Sequence, residues 1–278
     1  MNESYDVVII GGSAAGLSGA LALGRSRRSV LVVDGGDPRN APAAHIHNYL
    51  GRESTSPRDL VAIGRAEVAA YGVDVVDGTV SGVERVREED GEETGEETGE
   101  EAGEETAEKD GERESGLFRM AVDAAGGGVS RATRRVTARR ILLATGARDE
   151  LPDVPGIAEQ WGRGVVHCPY CHGWEVRDRA IGVLATSALS AHQVGMFRQL
   201  SDRVTLFLND AFEPDDEQWE RFAARGVQVV TGRVAELVSV DGEVDSVRLG
   251  SGMRVAVDAL AVATRVWARA EVVAGLGV

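Results

Sequence analysis

The 278-residue sequence holds only two cysteines, Cys168 and Cys171, with seven prolines and 5% aromatic side chains. A disulfide-dense scaffold and a collagen-like chain are thereby excluded. Basic charge is also short, with a net charge of −15, so nucleic-acid binding has no support from net charge. The acidity is itself local. Residues 88–114 carry 15 of the 45 acidic side chains and 2 of the 30 basic ones, and the remaining 30 acidic residues face 28 basic ones. A cluster of Arg131, Arg134, Arg135, Arg139 and Arg140 reads as solvent-facing strand positions, and a small molecule is the expected partner. Long apolar runs are equally scarce. The 18 residues 7–24 carry no charge, the length at which a membrane span or signal must be considered. The leader before them is acidic, however, and the run contains Gly11, Gly12, Gly16 and Gly19, so no membrane role is expected. A cytoplasmic, reducing location follows as the expectation, in which a close cysteine pair points to redox chemistry or metal binding.

What is present reads as an α/β chain. Residues 5–10 are a short β-rich run, followed by a glycine turn, a helix to about Gly24 and a second strand over 29–34. Ser56, Pro57 and Asp59 supply a cap, a first-turn proline and an acid for a helix reaching about Tyr71. Strands are expected over 73–76, 79–86, 117–122 and 141–143. Between the second and third of these lies a repeat of Gly-Glu-Glu-Thr type with no apolar side chain larger than alanine. It cannot bury a core and is expected to be a disordered insert in a hairpin loop. A second βαβ unit is expected over 181–184, 189–200 and 204–208. Five β-rich runs, 228–230, 235–240, 244–249, 254–257 and 260–263, then suggest a meander.

Gly11-Gly12-Ser13-Ala14-Ala15-Gly16 stands between the first strand and the first helix, where a glycine motif gains meaning. Gly11 permits the tight turn and Gly16 close helix packing. Ser13 occupies the place of the usual second glycine. Helix amides would hold a diphosphate, and Asp34, about 20 residues on, would accept from ribose hydroxyls. A purely structural glycine turn is the competing reading, and the motif alone does not separate FAD from NAD.

His167-Cys168-Pro169-Tyr170-Cys171-His172 contains both cysteines. The spacing permits a reversible disulfide at the start of a helical turn, with Pro169 at its first position and Cys168 as cap. Helix-end amides and the neighbouring imidazole are expected to favour a thiolate, and His172 to move the proton released on disulfide closure. Zinc would require two further ligands, and no metal is expected. The c-type haem pattern also matches, but needs export.

These pieces in this order, the glycine motif, Asp34, Ala144-Thr145-Gly146 and then Cys-x-x-Cys in a second nucleotide-type unit, resemble the thioredoxin reductase family of flavoproteins. The variant Cys-Pro-Tyr-Cys-His-Gly-Trp-Glu is similar to the subgroup of flavin-dependent dithiol oxidases of the gliotoxin-oxidase type. The resemblance implies two Rossmann-like domains with β-meander hairpins. An FAD domain would span 1–150, interrupted by the acidic insert at 87–116. An NAD(P)-binding-like domain over 151–262 would carry the cysteines, and 263–278 would begin a return to the first domain. It further implies FAD at Gly11, Gly12, Ser13, Ala15, Gly16, Asp34, Thr145 and Gly146. Arg39 and Asn40 match the adenosine-side loop, or form a plain turn. Cys171 would face the flavin, Cys168 would exchange with substrate, and His172 would stand in for the family's acidic proton carrier.

Two departures accompany the resemblance. The family's Ala-Gly-Asp segment beside the flavin has no counterpart before Val278. Residues 185–191 lack the glycines that bind NADPH, and Asn209-Asp210 replaces basic residues for a 2′-phosphate, leaving NADH as an option at Asp210. The expected function is therefore FAD-dependent oxidation of small dithiols with oxygen. The alternatives are an NADPH-dependent disulfide or thioredoxin reductase, and an inactive flavin- or nucleotide-binding module. A small dithiol or disulfide, or a thioredoxin-like protein, is the implied partner, and a homodimer the implied assembly.

Overall fold

The structure, a computed structural model, describes residues 2–87, 114–124 and 133–277. The disorder expected of the acidic insert, and Arg131, fall outside these residues. Two compact units emerge, Met1–Asp37 with Val61–Gly146 and Arg269–Val278, and Pro38–Leu60 with Ala147–Ala268. The loop carrying Arg39 and Asn40, which the sequence reading assigns to the first domain, thus groups with the second unit.

In the first unit, β1 (Ser4–Ile10), α1 (Ala14–Arg25) and β2 (Val30–Asp34) form the expected βαβ start. Helix α2 (Pro57–Ala69) begins as its cap sequence requires, Asp59 N donating to Ser56 Oγ at 3.0 Å. Strands β3 (Asp74–Arg87), β4 (Glu114–Ala124) and β5 (Thr133–Leu143) complete the unit. β1 pairs in parallel with β2 and β5, and β2 with the start of β3. Farther along, β3 turns antiparallel to β4, and β4 to β5, so the five strands close on themselves. The two separate runs expected over 73–76 and 79–86 are therefore one strand that exchanges its partner midway. Alternation decides what each face buries. Val7, Ile9, Val30 and Val32 pack under α1 with Leu17 and Ala20, while Val8, Leu31 and Val33 point inward to Met120, Val122 and Val136. Arg134, Arg135, Arg139 and Arg140 are exposed on β5, as expected.

The second unit contains β6 (Ala147–Glu150), α3 (Ile157–Gln160), β7 (Val165–Val166), α4 (Pro169–His172), β8 (Ile181–Leu184), α5 (Ser190–Phe197), β9 (Val204–Phe207) and α6 (Asp216–Ala224). It continues with β10 (Gln228–Val230), β11 (Val234–Val240), β12 (Glu243–Leu249), β13 (Arg254–Ala256), β14 (Ala259–Val262) and β15 (Arg265–Ala268). A five-stranded sheet runs in the order β10-β9-β8-β14-β7, all parallel. One face packs on α5 and α6 through Val183, Leu206, Val194, Phe197 and Phe222. The other packs on the antiparallel β11-β12-β13 sheet through Leu184, Phe207, Leu260, Leu237 and Val247. Only three of the five runs expected as a meander form one. β10 and β14 join the parallel sheet, where all four residues of β14 are buried. Among the described residues, no helix is long and apolar enough to cross a membrane.

Candidate functional site

Two sites follow from these elements, one in each unit. In the first unit, Gly11 turns the chain from β1 into α1 with φ at +111°, and its amide donates to Val33 O at 2.8 Å. A Cβ on Gly16 would lie 1.9 Å from Gly11 O, so the helix can approach the turn only because this residue is glycine. Ser13 caps nothing with its side chain, the first turn of α1 holds no acidic residue, and Ala14 and Ala15 are exposed there. That helix end is thus open to an anion. At the end of β2, buried Asp34 accepts from Gly12 N at 3.3 Å and Gly36 N at 3.1 Å. Thr145 Oγ1 donates to Arg269 O, and Gly146 O accepts from Arg269 N at 3.0 Å. These residues fit a dinucleotide: a glycine-lined turn, an open helix end and an acid at the second strand.

Sequence reasoning missed Arg65. Its Nη2 pairs with Asp34 and, at 2.7 Å, with Asp77, while its Nε is buried without a partner. The signal was available, because Val61, Arg65 and Val68 share one helical face and both valines pack inward.

In the second unit, α4 holds the cysteine pair. Cys168 caps this four-residue helix and Pro169 opens it, as the motif implies, with Cys171 N and His172 N donating to Cys168 O at 3.2 and 3.1 Å. Both cysteines are free thiols, Cys168 half-buried and Cys171 exposed. The expected thiolate is not what Cys171 favours. Desolvation, a hydrogen bond with the Cys168 thiol and repulsion from that sulfur push it up to about 12, with Arg39 opposing. Since Cys171 is exposed as a residue, the Cys168 sulfur is the cause that geometry supports most directly, and a helix of one turn offers little dipole against it. His172 is half-buried, and burial lowers its titration below the ordinary imidazole value, with Glu175 opposing and His47 reinforcing. It is neutral at pH 7 and able to accept a proton.

Arg39 grips Asp149 with two bonds, Nε to Oδ2 at 2.6 Å and Nη2 to Oδ1 at 2.7 Å, and Thr264 Oγ1 donates to the same carboxylate at 2.6 Å. The pairing holds Asp149 below the usual carboxylate range. Asn40 lies in a turn in which Ala41 N donates to Pro38 O at 2.9 Å and Ala43 N to Asn40 O at 3.0 Å. The plain-turn reading of Pro38-Arg39-Asn40 therefore accounts for the local backbone. His167 Nδ1 donates to Val262 O at 3.1 Å, tying the start of the motif to β14.

The second nucleotide-type turn, after β8, is closed by its own hydroxyls. Thr186 N donates to Ser190 Oγ at 3.2 Å, Leu189 N to Ser187 Oγ at 3.3 Å, and Thr186 Oγ1 to Ala263 O at 2.9 Å. After β9, Asn209 Oδ1 accepts from Val234 N at 2.9 Å, and Asp210 is exposed. The amides of Thr186 and Leu189 are thus engaged by hydroxyls, and those of Ser190, Ala191 and His192 by Ser187 O, Ala188 O and Leu189 O at 3.1, 3.2 and 3.1 Å.

The family model described as pyridine nucleotide-disulphide oxidoreductase matches residues 5–278. A "Thioredoxin reductase tcpT" of Claviceps purpurea is 30% identical over 271 residues, 92% of this chain and 72% of the relative. A relative from Arthroderma benhamiae named "Probable thioredoxin reductase" is 30% identical over 206 residues. That alignment covers 74% of this chain and 44% of the relative, so the chain spans under half of that protein's length. Among solved structures, HlmI is 38% identical with a TM-score of 0.82, covering 100% of this chain and 77% of its own.

Proposed function

The chain belongs to the pyridine nucleotide-disulphide oxidoreductase family, and from that premise we propose that it is an FAD-dependent thiol-disulfide oxidoreductase that oxidises small dithiols with oxygen. The paired thiols of Cys168 and Cys171 on one short helix, beside an imidazole that is neutral at pH 7, carry this reading. The curated relatives are named thioredoxin reductases, which makes NADPH-driven reduction the competing direction. The self-capped turn at residues 185–191 favours oxidation over it.

Gly11, Gly12, Ser13, Ala15 and Gly16 would hold the FAD diphosphate at the end of α1, Asp34 its ribose, and Thr145 and Gly146 would line its site. When bound, the flavin supplies the two-electron acceptor. Cys168 exchanges with the substrate and Cys171 completes the internal disulfide. His172 accepts the proton of a thiol that ionises, and Arg39, drawn toward both sulfurs by charge, steadies the resulting anion. Asp149 and Thr264 fix Arg39 for that task. A cytoplasmic location suits a reduced pair.

Oxygen uptake with a small dithiol, measured on flavin-loaded protein, tests the proposal. Parent protein should consume oxygen, and Cys168→Ser and Cys171→Ser should each lose that activity while keeping flavin. Undiminished uptake in both variants would remove the pair from the reaction.

A further inference from the structure

Beside α4, the loop at residues 45–53 presents a cluster not used above. His47 has 17% of its side chain exposed and a carboxylate at each ring nitrogen, Glu53 Oε1 at 2.6 Å from Nδ1 and Glu175 Oε1 at 3.4 Å from Nε2. Asn48 N donates to Glu53 Oε2 at 2.9 Å, and the Asn48 side chain donates to Tyr170 O, tying the loop to α4 itself. The rings of His47 and His172 stand edge to face at 83°, with centroids 6.4 Å apart, and His45 flanks His47 at 6.3 Å. The outer carboxylates reach solvent, with 59% of the Glu53 side chain and 41% of that of Glu175 exposed.

From this placement, and resting on the reading of Cys168 and Cys171 as a redox pair, we infer that His47 is a positioning residue for His172. It leads the proton that His172 takes from the pair out to Glu53. The step is a proton transfer. A thiol S–H bond breaks and an N–H bond forms on His172; as His172 releases that proton, a neutral His47 gains one at Nε2 and gives one to Glu53 from Nδ1. No electron moves. A neutral imidazole that donates from Nδ1 to Glu53 can do this without turning, because one nitrogen gives as the other receives. The groups facing His172 act with opposite signs: Glu175 favours its charged form, and His47 disfavours it.

The test is an NMR titration of the His172 ring in the full chain, with the pH profile of cysteine alkylation by iodoacetamide read alongside. His47 disfavours the charged form of His172, so in His47→Gln the His172 midpoint should rise and the alkylation profile should shift with it. Glu175→Gln should move the midpoint the opposite way. A folded His47→Gln protein with an unmoved His172 titration overturns the inference. If that variant does not fold, Glu175→Gln decides, an unmoved midpoint again counting against it. Oxygen uptake by parent protein keeps the two readings separate. Dithiol oxidation with an unmoved His172 removes the relay alone, whereas a shifted His172 without dithiol oxidation removes the substrate reading.

Discussion

At Cys171 the chemistry depends on which influence on one sulfur dominates. Desolvation, the Cys168 hydrogen bond and Cys168 repulsion all raise its titration to about 12, while Arg39 lowers it. At neutral pH such a thiol is protonated and a poor nucleophile. Two of the three raising causes belong to Cys168, so Cys168→Ala should bring the Cys171 midpoint down toward the ordinary thiol value of 9.0. Arg39→Ala should act in the opposite sense and slow alkylation of Cys171 at fixed pH. Ultraviolet thiolate absorbance against pH reads both. A midpoint unchanged by loss of the Cys168 sulfur would mean that burial alone sets it. At Cys171 the expected thiolate thus has desolvation and then the Cys168 sulfur, three residues away, set against it.

Among the elements, the turn from β1 into α1 has the least tolerance. Gly16→Ala sets a methyl 1.9 Å from Gly11 O, so turn or helix must move, whereas Gly82→Ala on β3 meets nothing within 4 Å. The first should cost about 1 to 3 kcal/mol and most of the flavin content, the second neither. Melting temperature and bound flavin measure this; equal behaviour of the two variants would refute the assignment of the turn. That turn was legible because two short, continuous apolar runs, β1 and β2, flank the glycine motif and the apolar helix α1. β14 was misjudged although its continuous Ala-Leu-Ala-Val run differs from the alternation of β12, a difference that marks burial on both faces. β6 and β15 gave no strand signal. Ala147-Arg-Asp-Glu150 is mostly charged, and all four residues of β15 are exposed, so their pairing is set by the chain around them. The Cys-x-x-Cys-His motif was legible, like the turn, because its residues are neighbours in the chain. His47 was not, because 125 residues separate it from His172 and only folding brings the rings together.

For the molecule as a whole, charge is concentrated in one acidic segment and chemistry in two nucleotide-type units built differently. Arg87 at the end of β3 lies opposite Glu114 at the start of β4, after a register shift between Arg85 and Arg87, so the acidic repeat connects two antiparallel strands. A long insertion at such a point is mild in free energy, since loop entropy grows only logarithmically with length. The two units differ where a dinucleotide would approach. Neither helix end has a side-chain cap, but the chain before α5 is itself turned, so that Ser190 N, Ala191 N and His192 N donate to Ser187 O, Ala188 O and Leu189 O. That asymmetry is the physical basis for placing FAD in the first unit and for expecting weak use of NADPH by the second. Anaerobic rapid mixing of flavin-loaded protein with a small dithiol, NADPH or NADH, following loss of flavin colour, tests it most directly. Fast bleaching by dithiol, slow bleaching by either nicotinamide, and peroxide on readmitting oxygen are the predicted results. Fast bleaching by NADPH would contradict the account and establish a reductase.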